Sequence, residues 1–183
     1  MNGSSQNLTN AAIAFRDPER ARQNFALVHS RVPAPWREIL SPLLADLPDP
    51  DAALNFFERW TETAGAELIH LLDRHRSLIH YALTVFGYSQ FLSETLLQNP
   101  DLFQTLQREE SLDRSHSQEE FREAFARFRS RSLETDIALL LARFKRREYV
   151  RIMLRDVLGI ASLAETTAEI SALSDVIIEE ALL

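Results

Sequence analysis

Residues 132–183, SLETDIALLLARFKRREYVRIMLRDVLGIASLAETTAEISALSDVIIEEALL, decide the fold. Apolar residues recur at Ile137, Leu140, Leu141, Phe144, Ile152 and Val157 with no Pro or Gly between them, so residues 133–158 read as one long helix. Gly159 stops it, because glycine takes the left-handed conformation after a helix C-terminus without a Cβ penalty. Ser162-Leu163-Ala164-Glu165 is a capping-box pattern, in which a Ser and a Glu three residues apart satisfy each other's backbone N–H groups and open a second helix. Two long helices joined by so short a turn must run antiparallel. The expectation is a helical hairpin.

Arg143, Arg147, Arg151 and Arg155 stand four apart along the first helix, a stripe that drifts slowly around one flank. Like charges at that spacing repel by a few tenths of a kcal/mol per pair, so something acidic should face them. Folding the hairpin at residues 160–161 places Arg155 near Glu165 and Glu169, Arg147 near Asp175 and Arg143 near Glu179, which makes the stripe structural. The alternative is a docking stripe for a phosphate-bearing partner, which the planar guanidinium fork suits.

Working back toward the N-terminus, Ser117 and Glu120 form a second capping box, opening a helix that buries Phe121, Phe125 and Phe128. The polar run over 109–117, EESLDRSHS, reads as a candidate sub-domain linker. Asn99-Pro100-Asp101 opens the helix LFQTLQRE, and Gly87-Tyr88-Ser89 ends one helix and caps the next, residues 90–98. Residues 64–86 read as helical segments with apolar Leu68, Leu71, Leu72, Leu78, Ile79, Leu83 and Phe86 and a break at 74–77. The turn-like run 46–51, DLPDPD, launches a helix carrying Leu54, Phe56, Phe57 and Trp60 as core aromatics. Before it, a short helix over 36–44 turns Ile39, Leu40 and Leu43 inward, and Asp17-Pro18-Glu19 starts a helix over 18–29 with Phe25 and Val28 buried. Residues 1–16 read as a disordered or extended N-terminus and 17–183 as a helical domain. The fold class is all-α, an irregular multi-helix bundle ending in the long antiparallel hairpin.

Composition narrows the function. A net charge of −7 argues against a general nucleic-acid binder, and no long uncharged apolar stretch reads as a membrane span. With no cysteine there is no disulfide, thiolate metal site or cysteine nucleophile. Arginine outnumbers lysine 19 to 1, scattered over the whole chain. His70, Asp73, His75 and His80 are close in sequence, but on one helix His70 and His75 point about 140° apart and no HExxH accompanies them. Asp49-Pro50-Asp51 is a helix-start turn rather than a two-metal carboxylate pair. No P-loop, GxGxxG or GxSxG is present, so catalytic, cofactor-binding and metal residues are all expected to be none.

Two blocks carry a family resemblance. ALTVFGYSQFLSETLLQNPDLFQTL, residues 82–106, is similar through Gly87, Ser89, Phe91, Leu92, Leu96, Pro100 and Leu102 to a G-x-S-x-F-L-x-x-x-L-x-x-x-P-x-L segment. RFKRREYVRIMLRDVLGIASLAETTAEISALSDVIIEEAL, residues 143–182, resembles R-R-F-[KR]-[RN]-R-E-x-L-R-I-x-x-R-D-L-x-G followed by an L-x-E-x-T-x-x-L-S-x-L-A-D helix. Both segments belong to the glutamine synthetase adenylyltransferase/adenylyl-removing enzyme family, and the resemblance spans roughly residues 50–183.

The resemblance implies a bacterial setting in nitrogen metabolism, and an N-terminus MNGSSQNLTN with no basic region before an apolar run, together with the lack of a long apolar stretch, leads to the expectation of a cytoplasmic protein. Full-length members carry two nucleotidyltransferase modules, each with a Gly-Ser pair and an aspartate doublet that holds magnesium. With ATP or AMP they transfer an adenylyl group to a tyrosine of glutamine synthetase or remove it. The implied partners are glutamine synthetase, the PII signal protein and the nucleotidyltransferase module that follows these helices. Ser174-Asp175 is no substitute for the motif, since it falls mid-helix without glycine or a second aspartate. The chain is therefore expected to be inactive alone, ending at Leu183 just ahead of the motif, either as a truncation or as a complete product. An alternative is a stand-alone helical scaffold or regulatory module. Val176, Ile177, Ile178, Leu182 and Leu183 are expected to form an apolar patch through which the C-terminal helix dimerises.

Overall fold

The computed structural model describes residues 13–63, 65–99, 102 and 112–182, the side chains of 66–68 excepted. Residues 1–12 of the expected N-terminal segment, the helix expected after Asn99-Pro100-Asp101 apart from Leu102, and residues 109–111 of the candidate linker lie outside the described residues. The described residues form α1 (Pro18–Arg31), α2 (Ala34–Ala45), α3 (Pro50–Thr63), α4 (Ala66–Arg74), α5 (Ser77–Tyr88), α6 (Gln90–Gln98), α7 (Gln118–Arg131), α8 (Ile137–Val157) and α9 (Leu163–Ala181). They contain no strand, and the all-α expectation holds. The chain divides into two compact units, Met1–Phe103 and Gln104–Leu183.

The first unit is built on α3, which packs against α1, α2, α5 and α6. Leu54, Phe57 and Trp60 are buried on it, each burial worth roughly 1.5–3 kcal/mol. Phe86 of α5 lies 5.9 Å from Phe56 and 5.7 Å from Trp60, so the expected aromatic cluster is core. The acidic turn before α3 joins two helix starts. Asp49 Oδ1 accepts from the Ala52 N–H at 2.9 Å, while Asp51 accepts from the backbone N–H groups of Arg16 and Asp17 at the entry to α1. In α2 the buried face is Trp36, Leu40 and Leu44, spaced four apart, with Ile39 and Leu43 only half-buried. The tryptophan, rather than Ile39, sets that face. Its Nε1–H donates to Asp73 at 3.3 Å.

The first resemblance block has local structural reasons. Gly87 lies so close to Leu47 that an added Cβ would stand 3.1 Å from the leucine Cβ and Cδ1. The Ser89 hydroxyl accepts from the Leu92 N–H at 3.3 Å and caps α6, and Leu92 and Leu96 are buried. Phe91 is instead 60% exposed.

In the second unit α7, α8 and α9 surround a core of Phe121, Phe125, Leu140, Leu141, Phe144, Ile152, Leu173 and Val176. Phe125 meets Phe144 edge-on at 5.2 Å, and Phe128 is half-buried against the same ring at 5.8 Å. The first hairpin helix starts later than its pattern suggests. Asp136 caps α8 through the N–H groups of Ala138 and Leu139, and Leu133 precedes it fully exposed. Both expected capping boxes are present, at Ser117/Glu120 and Ser162/Glu165.

The turn between α8 and α9 is a Schellman motif. Gly159 has φ +68°, its N–H donates to Asp156 O at 3.0 Å, and the Ile160 N–H donates to Arg155 O at 2.9 Å. Nothing lies within 4 Å of a Cβ built on Gly159, so the cost of a side chain there is purely backbone. Gly159→Ala should destabilise the second unit by about 1 kcal/mol in equilibrium urea unfolding. An unchanged midpoint would contradict the left-handed turn.

Candidate functional site

A stripe with four-residue spacing drifts about 40° per step, so from Arg143 to Arg155 it rotates by roughly 120° around α8. The drift separates the four arginines. Arg143 and Arg147 are half-buried, whereas Arg151 and Arg155 turn inward and are 4% and 2% exposed. They meet α9 on its buried face, made by Thr166, Glu169, Leu173 and Val176.

Glu169 meets Arg155 as expected, while the counter-charges of the other arginines differ from the expected set. Glu169, only 2% exposed, takes Arg151 Nη2 on Oε1, and its Oε2 lies 3.6 Å from Arg155 Nε. Glu148, buried on α8 itself, takes the Arg147 fork on Oε1 at 2.9 and 2.7 Å and Arg151 Nε on Oε2 at 3.0 Å. Arg147 therefore pairs with its sequence neighbour, while Asp175 points to solvent. Glu179 binds Arg122 and Gln118 of α7. Arg147 also stacks over Phe128 and Phe144, at 5.0 and 4.9 Å. Glu148 escaped the sequence reading because a glutamate beside two arginines resembles a solvated surface pair. The signal available was its place, seven residues after Leu141 and four before Ile152, on the apolar face of α8.

The cluster also holds an irregular segment. Arg155 Nη1 donates to Leu112 O at 2.6 Å, Arg151 Nη1 to Arg114 O at 3.4 Å, and the His116 N–H donates to Glu169 Oε1 at 2.6 Å. Leu112 is buried, and the His116 ring packs edge-on against Phe121 at 5.4 Å. Burial, and next the Arg151 guanidinium, hold His116 below its ordinary pKa of 6.5 against the opposing pull of Glu148, Glu169 and Glu120. At the start of α7 the Glu120 carboxylate accepts from the Ser117 N–H at 2.8 Å and pairs with Arg114, which brings its pKa from 4.5 to about 2.

The remaining candidates sit apart from chemistry. His70 and His80 are exposed, His75 is half-buried, and Asp73 serves Trp36. Asp49 and Asp51 hold helix starts, and no group of His, Asp and Glu suited to a metal ion occurs among the described residues. The expected C-terminal apolar patch is corrected at Val176, which is fully buried in the core because it shares the face of Glu169 and Leu173. Ile177 is half-buried, Ile178 and Leu182 are exposed, and Leu183 lies outside the described residues. Leu163 and Ile170 are exposed earlier on α9. No helix among the described residues is long and apolar enough to cross a membrane.

Two measurements follow from this geometry. Arg151→Met removes the cation shared by two buried carboxylates and should cost about 3–5 kcal/mol in urea unfolding, with Arg151→Met/Glu169→Leu recovering part of it. A loss under 1 kcal/mol would mean the network carries little. Glu120 has a depressed pKa, so its contribution is complete above about pH 4.5 and is lost as pH falls toward about 2. The stability gap between wild type and Glu120→Gln should accordingly be largest near neutrality and vanish near pH 2. A gap independent of pH would contradict it.

Comparison with known proteins places the chain. The family described as glutamate-ammonia ligase adenylyltransferase matches over residues 79–183. A bifunctional glutamine synthetase adenylyltransferase/adenylyl-removing enzyme of Nitrosococcus oceani is 34% identical over 99 residues, 54% of this chain and 10% of that protein. Its counterpart from Leifsonia xyli subsp. xyli is 30% identical over 175 residues, 90% of this chain. The chain spans only 17% of the Leifsonia protein's length. No solved structure matches it. With the match covering the buried Arg–Glu hairpin and more than half of the chain, this protein belongs to the glutamate-ammonia ligase adenylyltransferase family.

Proposed function

We propose that this chain is a non-catalytic helical region of a bifunctional glutamine synthetase adenylyltransferase/adenylyl-removing enzyme, supporting a catalytic module and docking a partner in the cytoplasm. The observation that carries this reading is the use made of the charged family block. Arg147, Glu148, Arg151 and Arg155 bind one another, Glu169 and backbone carbonyls, so the block supports a rigid hairpin rather than a reactive centre. Magnesium and ATP or AMP would then belong to the nucleotidyltransferase modules of the whole enzyme. Leu163, Ile170 and Ile178 on α9, with Leu182 just past its end, give exposed apolar positions against which such a module would pack. Glutamine synthetase is the partner that the relatives' names supply, and the PII signal protein is a second that the family resemblance implies.

The test uses the 183-residue chain with adenylylated glutamine synthetase, magnesium, phosphate and nucleotide. Neither AMP nor ADP should be released, and calorimetry should register binding to glutamine synthetase or PII. Release of nucleotide would overturn the non-catalytic assignment, and no binding to either protein would remove the docking role. Light scattering tests the same apolar positions: if they associate two copies, Ile178→Asp should shift a dimer to monomer.

A further inference from the structure

We propose that residues 112–117 form a proton-operated strap, held closed on the second unit by the buried Arg–Glu cluster while His116 is neutral and let go when His116 takes up a proton. Three backbone groups tie the strap down, and all three partners belong to that cluster: Leu112 O to Arg155, Arg114 O to Arg151, and the His116 N–H to Glu169. The imidazole that moves with these ties lies within the same field. Its Nδ1 is buried without a hydrogen-bond partner, 4.0 Å from Glu148 Oε2.

The charges around that ring decide what a proton does. From α8 it faces Glu148 and Arg151, from α9 Glu169, and from α7 Glu120, with Phe121 against its face. The carboxylates that would welcome an imidazolium are already engaged. Glu148 serves Arg147 and Arg151, Glu169 serves Arg151, Arg155 and the His116 backbone, and Glu120 is drawn to Arg114 and the Ser117 N–H. The ring's Nδ1 is shut away from water with no hydrogen-bond partner, so an imidazolium would form in a desolvated place beside the Arg151 cation, a cost that the nearby carboxylates offset only in part. The lowered basicity of His116, caused first by burial and then by Arg151, agrees with that balance.

The sign follows from linkage. A histidine less basic when folded contributes stability above its ordinary pKa of 6.5, and that stability is lost as pH falls through the lower folded value. The least costly escape is local, because the strap leaves by breaking three backbone ties while α8 and α9 keep their apolar core. Its departure would uncover Leu112, Phe121 and the inward ends of Arg151 and Arg155.

Hydrogen exchange by NMR on the full chain tests this, with protection factors read for the strap amides, the His116 N–H above all. Between about pH 7.5 and pH 5 strap protection should fall, by at most about tenfold per pH unit between 6.5 and the lower folded pKa and levelling off below it, while protection in the middle of α8 and α9 stays constant. The His116 imidazole should titrate below 6.5. His116→Phe keeps an aromatic ring against Phe121 and should make strap protection independent of pH. If that variant does not fold, His116→Gln takes its place. The proposal is overturned if His116 titrates at or above its ordinary value, if strap protection is flat in the wild type, if its pH dependence survives in the variant, or if α8 and α9 lose protection together with the strap.

Discussion

Glu169 sits on the inner face of α9 between Thr166 and Leu173 at 2% exposure, and an ionised carboxylate in such a place is costly unless cations meet it. Arg151 and Arg155 meet it from α8, and around that pairing the second unit is arranged. The register between the two hairpin helices must bring those groups together. A slide of one helical turn would break the joint contact of Glu169 with Arg151 and Arg155, so the charged layer favours one alignment. Glu148 extends the constraint along α8 by binding Arg147 and Arg151, and the strap extends it outward by presenting backbone carbonyls to guanidinium donors left over.

The hairpin thus has two layers with different work. Toward its open end, Leu140, Leu141 and Phe144 of α8 meet Leu173 and Val176 of α9 with Phe121 and Phe125 of α7, a packed apolar core that provides most of the stabilisation. Toward the Gly159 turn the core becomes ionic, and Thr166 closes it by donating to Asp156 at 3.1 Å. Such a layer adds less net stability than apolar side chains of equal volume. Its value is uniqueness of arrangement, which suits a region whose proposed role is to hold other parts in place.

Features that depend on neighbours in sequence were legible beforehand. The Ser117/Glu120 and Ser162/Glu165 boxes, the Ser89 cap, the helix break before Ser77 and the glycine turn at 159 are local hydrogen-bond arrangements, and a local pattern specifies them. The aromatic core of α3 was legible for the same reason, through periodicity. Errors arose where two local signals competed. Residues 133–136 continue the helical pattern in character, yet Asp136 captures the N–H groups of Ala138 and Leu139 and begins α8 there. In α2 the tryptophan at the start outweighed the isoleucine, since burying the larger ring removes more apolar surface from water.

By itself the sequence determined the helical class, the hairpin, its turn and its family block, because caps, glycine and apolar periodicity act within a few residues of one another. Apart from the meeting of Arg155 with Glu169, which folding the hairpin already implies, only the tertiary structure decided which charges meet. The arginine stripe drifts around α8, so its last two members enter the core while the first two stay near the surface; Glu148 rather than Asp175 becomes the partner of Arg147, and Glu169 takes Arg151 together with its expected partner Arg155. That choice depends on the rotation of each helix about its axis, and the rotation is set by which faces bury phenylalanine, leucine and valine from three helices at once. No spacing within one helix encodes it.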